Sequence, residues 1–226
     1  VPYTVAPVEV VLPPVIPISD LRAYYLRYTL ALRPAQSINI FADVLQEGGQ
    51  GSVRNRVSSE FSATLTGLYE VVHTTTPGNG AYNHISVLHG YKDTRLVWDS
   101  NSVPPKATIC TVSRYVYPVQ NGPIFGAATD NLGALPDVYG HNQNKRGVVR
   151  YNDNWKTNQT GISSATQWLV MCSTSSVVSN VVIDQEYVGV GNTSEVVFTS
   201  RRLTINAPQQ ETASEFEVHS VYVWND

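Results

Sequence analysis

Glu60–Thr76 reads EFSATLTGLYEVVHTTT. Phe61, Ala63, Leu65, Tyr69, Val71 and His73 fall on one parity. Ser62, Thr64, Thr66, Glu70 and Thr74 fall on the other, with Leu68 and Val72 out of step. Successive side chains of a strand point to opposite faces. One long strand is therefore expected, apolar on one face and mostly hydroxylated on the other, with Leu65, Tyr69 and Val71 in the core. Pro77-Gly78-Asn79-Gly80 ends it, because proline cannot donate to the ladder and Gly and Asn accept turn geometry.

The same grammar extends both ways. Upstream, Tyr24–Pro34 (YYLRYTLALRP) and Ser37–Leu45 (SINIFADVL) are expected strands, separated from the central one by the loop Gln46–Gly51 (QEGGQG). Ser19-Asp20 could cap a short helix over Leu21–Ala23. Downstream, His84–Tyr91 and Thr94–Asp99 are expected to form a hairpin bending near Lys92-Asp93. Further strands are expected at Ala107–Val119, Thr166–Cys172, Val181–Val190, Glu195–Asn206 and Glu215–Trp224. In the last, Phe216, Val218, Val221 and Val223 share a face only if parity changes near Ser220, which predicts a bulge there. About nine to eleven strands at this spacing predict an all-β fold, an antiparallel β-sandwich or jelly roll with long polar loops. The domain boundaries expected are a Pro-rich arm or linker over 1–19, carrying Pro2, Pro7, Pro13, Pro14 and Pro17, and a single sandwich domain over 20–226.

The chain has 226 residues, 42% of them hydrophobic, enough for a substantial core; its formal net charge is -3. No Lys/Arg run occurs, which argues against direct nucleic-acid binding. No apolar run approaches the ~20 residues of a membrane span. The chain starts at Val1 and its one methionine is Met171, so a processed product or a fragment is expected. Cys110 and Cys172 could pair, but two cysteines in a chain this long are no disulfide framework. Lying in the apolar runs ATICTV and WLVMCST, they are expected to be buried free thiols.

Chemistry-bearing motifs are sparse. His73, His84, His89, His141 and His219 form no HExxH, there is no CxxC, and no metal or cofactor is implied. GxSxG is absent, Gly189-Val190-Gly191 is a turn, and Asp184 with Glu186 is an ordinary acidic pair on one strand face. No catalytic residue is assigned and no enzyme is expected. Asn158-Gln159-Thr160 and Asn192-Thr193-Ser194 fit the N-glycosylation acceptor pattern, which marks both as exposed. Tyr82, Tyr91, Trp98, Tyr139, Tyr151 and Trp155 lie in or beside predicted loops, where aromatics either contact a partner or anchor the loop. Ala127–Ile162 is rich in Gly, Asn, Asp and Thr and lacks strand periodicity. Its Tyr139, Tyr151 and Trp155 are the expected recognition or assembly residues.

The Pro-rich arm (PVEVVLPPVIP), the strand series from Tyr24, the LTGLYEVVHTTTPG unit, the polar loops and the non-Met start together resemble a capsid protein of a non-enveloped RNA virus. The resemblance implies a jelly-roll shell subunit or a protruding spike domain, located in the virion. Its partners would be further copies or other capsid subunits, and its role particle assembly and host attachment, with a host receptor or glycan as the attached ligand. The alternative is a secreted, extracellular carbohydrate-binding sandwich or adhesin domain.

Overall fold

A computed structural model describes residues 36–39, 44–47, 50–53, 63–73, 78–81, 85–119, 122–129, 137–158, 160–162, 166–175, 181–183, 186–187, 195–207 and 212–225. The Pro-rich arm, the cap at Ser19, the strand expected at Tyr24–Pro34, Tyr82, His84 and Asn192 lie outside these. The described residues form seventeen strands and no helix. They are β1 (Gln36–Asn39), β2 (Val44–Glu47), β3 (Gln50–Val53), β4 (Ala63–Thr66), β5 (Tyr69–His73), β6 (Ser86–Gly90), β7 (Arg95–Trp98), β8 (Ala107–Tyr115) and β9 (Phe125–Thr129). The rest are β10 (Asp137–Asn142), β11 (Lys145–Tyr151), β12 (Asn154–Trp155), β13 (Leu169–Thr174), β14 (Val181–Ile183), β15 (Glu186–Tyr187), β16 (Arg201–Ile205) and β17 (Phe216–Asn225).

Two antiparallel sheets make the sandwich. The first runs β15-β14-β13-β8-β17-β6-β5, with β1 on the remaining part of β17; the second runs β12-β11-β10-β9-β16-β7-β4-β3-β2. One hydrophobic cluster lies between them, drawing Ile109, Tyr115, Leu169 and Phe216 from the first sheet and Leu65, Trp98, Phe125 and Leu203 from the second. Alternation along β8 shows why: Ala107, Ile109, Thr111, Ser113 and Tyr115 are buried, while Thr108, Val112 and Arg114 are half-exposed. β17 behaves as its sequence demands. Its register against β8 shifts between Val218 and Ser220, and Phe216, Val218, Val221 and Val223 all reach the core.

The stretch expected to be one long strand is two. β4 pairs β7 in the second sheet and β5 pairs β6 in the first. The residues between, Gly67 and Leu68, turn the chain from one sheet to the other. Leu68, out of step in the sequence, is 68% exposed. Gly67 has φ 84, and a Cβ there would lie 2.3 Å from the Asp93 carbonyl oxygen. The opposite limb turns at the same level, so 63–73 and 86–98 are two arms of a bent hairpin that clasps the core from both sides. The turn is stitched by Thr94 Oγ1 donating to the Leu68 carbonyl, by Tyr91 N–H donating to Thr94 Oγ1 (2.8 Å), and by Leu68 N–H donating to Asp93 Oδ2 (3.3 Å). Leu65 is fully buried and Tyr69 packs against the core from the other sheet. The expected hairpin of His84–Tyr91 with Thr94–Asp99 is corrected likewise, since β6 and β7 pair β5 and β4 rather than each other.

Four further expectations are corrected. Ser37–Leu45 is not one strand, because its ends belong to β1 in the first sheet and β2 in the second; QEGGQG is largely the β2–β3 pairing, with Glu47 opposite Gln50. The supposed irregular region Ala127–Ile162 holds most of β9 and all of β10, β11 and β12. Its small residues disguised it: the sheets approach closely enough that a Cβ on Gly140 (φ 79) would lie 3.3 Å from Leu169 Cδ2. Finally, Cys110 and Cys172 are not free thiols. They sit directly opposite each other on β8 and β13, with Cα atoms 4.1 Å apart, and form a disulfide. Facing positions on neighbouring antiparallel strands bring Cβ atoms within bonding reach. Cys110 shares the outward parity of Thr108, Val112 and Arg114, so the bridge lies on the outer face of the first sheet.

Candidate functional site

The three expected recognition residues separate. Tyr139 on β10 and Tyr151 on β11 are fully buried; their rings lie 5.3 Å apart, and Tyr151 also meets Phe198 edge-on at 5.3 Å. The Tyr151 hydroxyl bonds Ser173 Oγ across the core. Neither ring offers a surface to a partner. Trp155 is half-exposed on the edge strand β12, with the Arg150 guanidinium 5.7 Å from its ring centre and Asp153 3.7 Å from Arg150. Asn158, just beyond, is exposed as expected, its Oδ1 accepting the Thr160 N–H at 3.1 Å. Among the described residues no group of three or more His, Cys, Asp or Glu is placed to hold a metal ion.

A different constellation forms on the outer face of the first sheet, through register alone. Glu70 on β5 stands opposite His89 on β6, His89 opposite Glu217 on β17, and Glu217 opposite Arg114 on β8. Their neighbours Tyr69, Leu88, Phe216 and Tyr115 face the core, so by alternation these four point outward. Glu217 Oε1 is 3.5 Å from His89 Nδ1, and Oε2 accepts from Arg114 Nε at 2.6 Å. Burial by itself would raise the Glu217 carboxyl, but the hydrogen bonds from His89 and Arg114 hold it below the ordinary glutamate value. Arg114 also donates to the Thr166 carbonyl (3.3 Å) and lies 5.7 Å from the centre of the Trp168 ring. Cross-strand pairs of opposite charge stabilise a sheet by roughly 0.2–1 kcal/mol each.

Aromatic rings flank this row. Tyr91 follows β6 directly. Its ring meets His89 edge-on at 4.9 Å, and its hydroxyl donates to Glu70 Oε1 at 2.8 Å. That bond is the main reason the Tyr91 hydroxyl is raised above its usual value, with desolvation and then the charges of Glu70 and Glu215 adding to it. Tyr117, 55% exposed, follows β8, so both tyrosines leave the ends of strands that carry the row. The result is a surface of ring edges and carboxylate oxygens, held by charges that are already paired beneath it. Of its members, the sequence marks Tyr91 as a loop aromatic, Glu70 as outward on its strand and His89 as one of five histidines without a motif, and joins none of them. Glu70, His89, Arg114 and Glu217 come from four strands, and nothing short of the register aligns them.

Two buried polar groups complete the electrostatics. Asp137, at the start of β10, accepts from Arg201 Nε (3.0 Å) and from the Asn152 N–H (2.7 Å). Burial nonetheless pushes its carboxyl up to about 6. His141 lies 3.4 Å from Ser113 Oγ with its ring against Tyr115 at 4.7 Å, and its Nε2 has no hydrogen-bond partner among the described residues. Burial, with Arg146 adding repulsion, pushes it down to about 3, so it is neutral at physiological pH. Both are enclosed and accessible to no ligand.

No family model matches the chain and no curated protein matches it by sequence. Solved structures do share the fold. Domain 4 of AbnA, a GH43 extracellular arabinanase from Geobacillus stearothermophilus, solved in complex with arabinotriose, matches with TM-score 0.61 at 9% identity, over 85% of this chain and 92% of that one. Trypanosoma rangeli sialidase matches with TM-score 0.54 at 14% identity, over 91% of this chain but 35% of that one. A structure described as a receptor binding domain matches with TM-score 0.55 at 11% identity, over 84% of this chain and 47% of that one. At these identities the likeness is one of fold: an antiparallel β-sandwich that also occurs within a glycosidase, a sialidase and a receptor-binding protein.

Proposed function

We propose that this chain is a carbohydrate-recognition sandwich of an extracellular protein, with the saccharide lying on the Tyr91–Glu70 surface of the first sheet. The observation that carries the reading is the preorganised Tyr91–Glu70–His89–Glu217–Arg114 row. Saccharides need ring faces or edges against their C–H groups and firmly oriented acceptors for their hydroxyls. Both are present here, and the charges below are locked before any ligand arrives. The cross-strand disulfide supports an oxidising compartment, and the fold's occurrence in an arabinanase domain solved with arabinotriose supports a sugar as ligand. Glu217, held ionised by His89 and Arg114, is unsuited to be the general acid that a glycosidase needs, and the reading is one of binding.

The test is titration calorimetry or a glycan array with the intact chain, followed by Tyr91→Ala. The variant should lose about tenfold or more in affinity, as buried aromatic contacts do, while its unfolding midpoint holds. Binding unchanged in the variant, or no saccharide bound at all, overturns the reading. The capsid or spike reading from the sequence resemblance is the competing proposal, and light scattering on the same preparation separates them: a particle of many copies would favour it.

A further inference from the structure

We infer that the Tyr91–Glu70 surface selects neutral saccharides and disfavours those carrying a carboxylate or sulfate. The inference rests on the carbohydrate-recognition reading and adds the chemical class of the ligand.

It follows from which charges on this surface are already committed. An acidic sugar needs a guanidinium or ammonium with free donors, ideally a forked one. The guanidinium of the row, Arg114, is already paired and mostly buried: its Nε donates to Glu217, which answers its charge, its Nη1 donates to the Thr166 carbonyl, and its side chain, 13% exposed, lies by the Trp168 ring. Arg95, at the nearby corner, donates to the Lys92 and Thr94 carbonyls and feels the Asp93 charge. Asp93 in turn accepts the Leu68 N–H. His89 faces Glu217. With these pairs set aside, the charged groups that act on Tyr91 among the described residues are the carboxylates of Glu70 and Glu215, and the adjacent Lys92 is exposed. Carboxylates are acceptors only. They receive the hydroxyl protons of a neutral sugar in strong charge-assisted bonds and repel a second anion. The same surface thus attracts one class of glycan and discriminates against the other, and the discrimination is electrostatic, so it weakens with salt.

The experiment titrates the intact chain at low ionic strength with two sets of probes. One is neutral: arabinotriose with oligomers of xylose, glucose, galactose and mannose. The other is acidic: sialyllactose and oligogalacturonates. The tightest neutral probe is expected to bind about tenfold or more tighter than the tightest acidic one, from one or two uncompensated charges at near contact. Raising the salt should narrow that ratio, and so should Glu215→Gln, whose readout is the ratio rather than either affinity. An acidic probe binding as tightly as the neutral ones, or a ratio indifferent to both salt and Glu215→Gln, overturns the selectivity while leaving carbohydrate recognition standing. No binding by either set overturns both.

Discussion

His141 and Asp137 are titratable groups shut inside the same sandwich, and their protons move in opposite senses on unfolding. His141 ordinarily titrates near 6.5 but here near 3. Between those values the unfolded chain binds a proton that the folded chain refuses, so stability falls as pH falls, by about 1.4 kcal/mol per pH unit. Asp137 is raised from 3.8 to about 6. In that window the folded chain holds the extra proton, and stability rises as pH falls. The two slopes oppose across the overlap. Glu217, held low by His89 and Arg114, adds stability that is lost only as pH drops through the ordinary glutamate range and below. His141→Gln should therefore expose the Asp137 slope. Urea midpoints between pH 7 and pH 4.5 should rise on acidification for the variant relative to the parent, whatever the substitution costs at neutral pH. Parallel pH profiles for the two proteins would show that His141 is not the refused proton.

At the scale of elements, the bent hairpin depends on Gly67. Its φ of 84 is a conformation L side chains rarely adopt, and an added Cβ would press on backbone atoms of Asp93 and Thr94, which cannot swing aside. Gly67→Ala should cost more than the ~1 kcal/mol of a simple backbone mismatch, read as a lower denaturant midpoint at unchanged slope. A loss within a few tenths would mean the corner can open without penalty. The corner also shows where the sequence stops being legible. Within 63–73 the alternation correctly marks strand residues and the buried Leu65, yet a chain that crosses from one sheet to its partner keeps burying residues on either side of the turn. Only the misfit of Leu68 betrayed the break. β17 was fully readable, bulge included, because one apolar face runs its whole length. β9 to β12 were not, because the residues buried there include Gly126, Ala127, Ala128 and Gly140 and the polar Asp137 and His141, which leave no apolar periodicity. For the same reason Tyr139 and Tyr151 looked like loop aromatics when they are core. The candidate binding row was invisible as a row, since its four polar members are joined by register and not by spacing.

At the scale of the molecule, sheet pairings join distant parts of the chain: β8 lies between β13 and β17, so the first sheet closes only when residues far apart in sequence have met. The disulfide fastens two of these strands where they already pair, on the outside, 62 residues apart along the chain. Its meaning shows most plainly under tension. When the chain is stretched from its ends, a covalent bridge removes everything between its two cysteines from the length that can be drawn out. At about 3.4 Å per extended residue, the shielded loop is worth roughly 200 Å of contour. Single-molecule stretching should show full unfolding lengthening by about that amount when the bridge is reduced or when Cys110 and Cys172 are both replaced by Ser. Equal contour gains with and without the bridge would mean the cysteines are not joined. With the bridge intact, β9 to β12, most of β8 and part of β13, with the Arg114 of the candidate row, lie inside the segment that force cannot draw out.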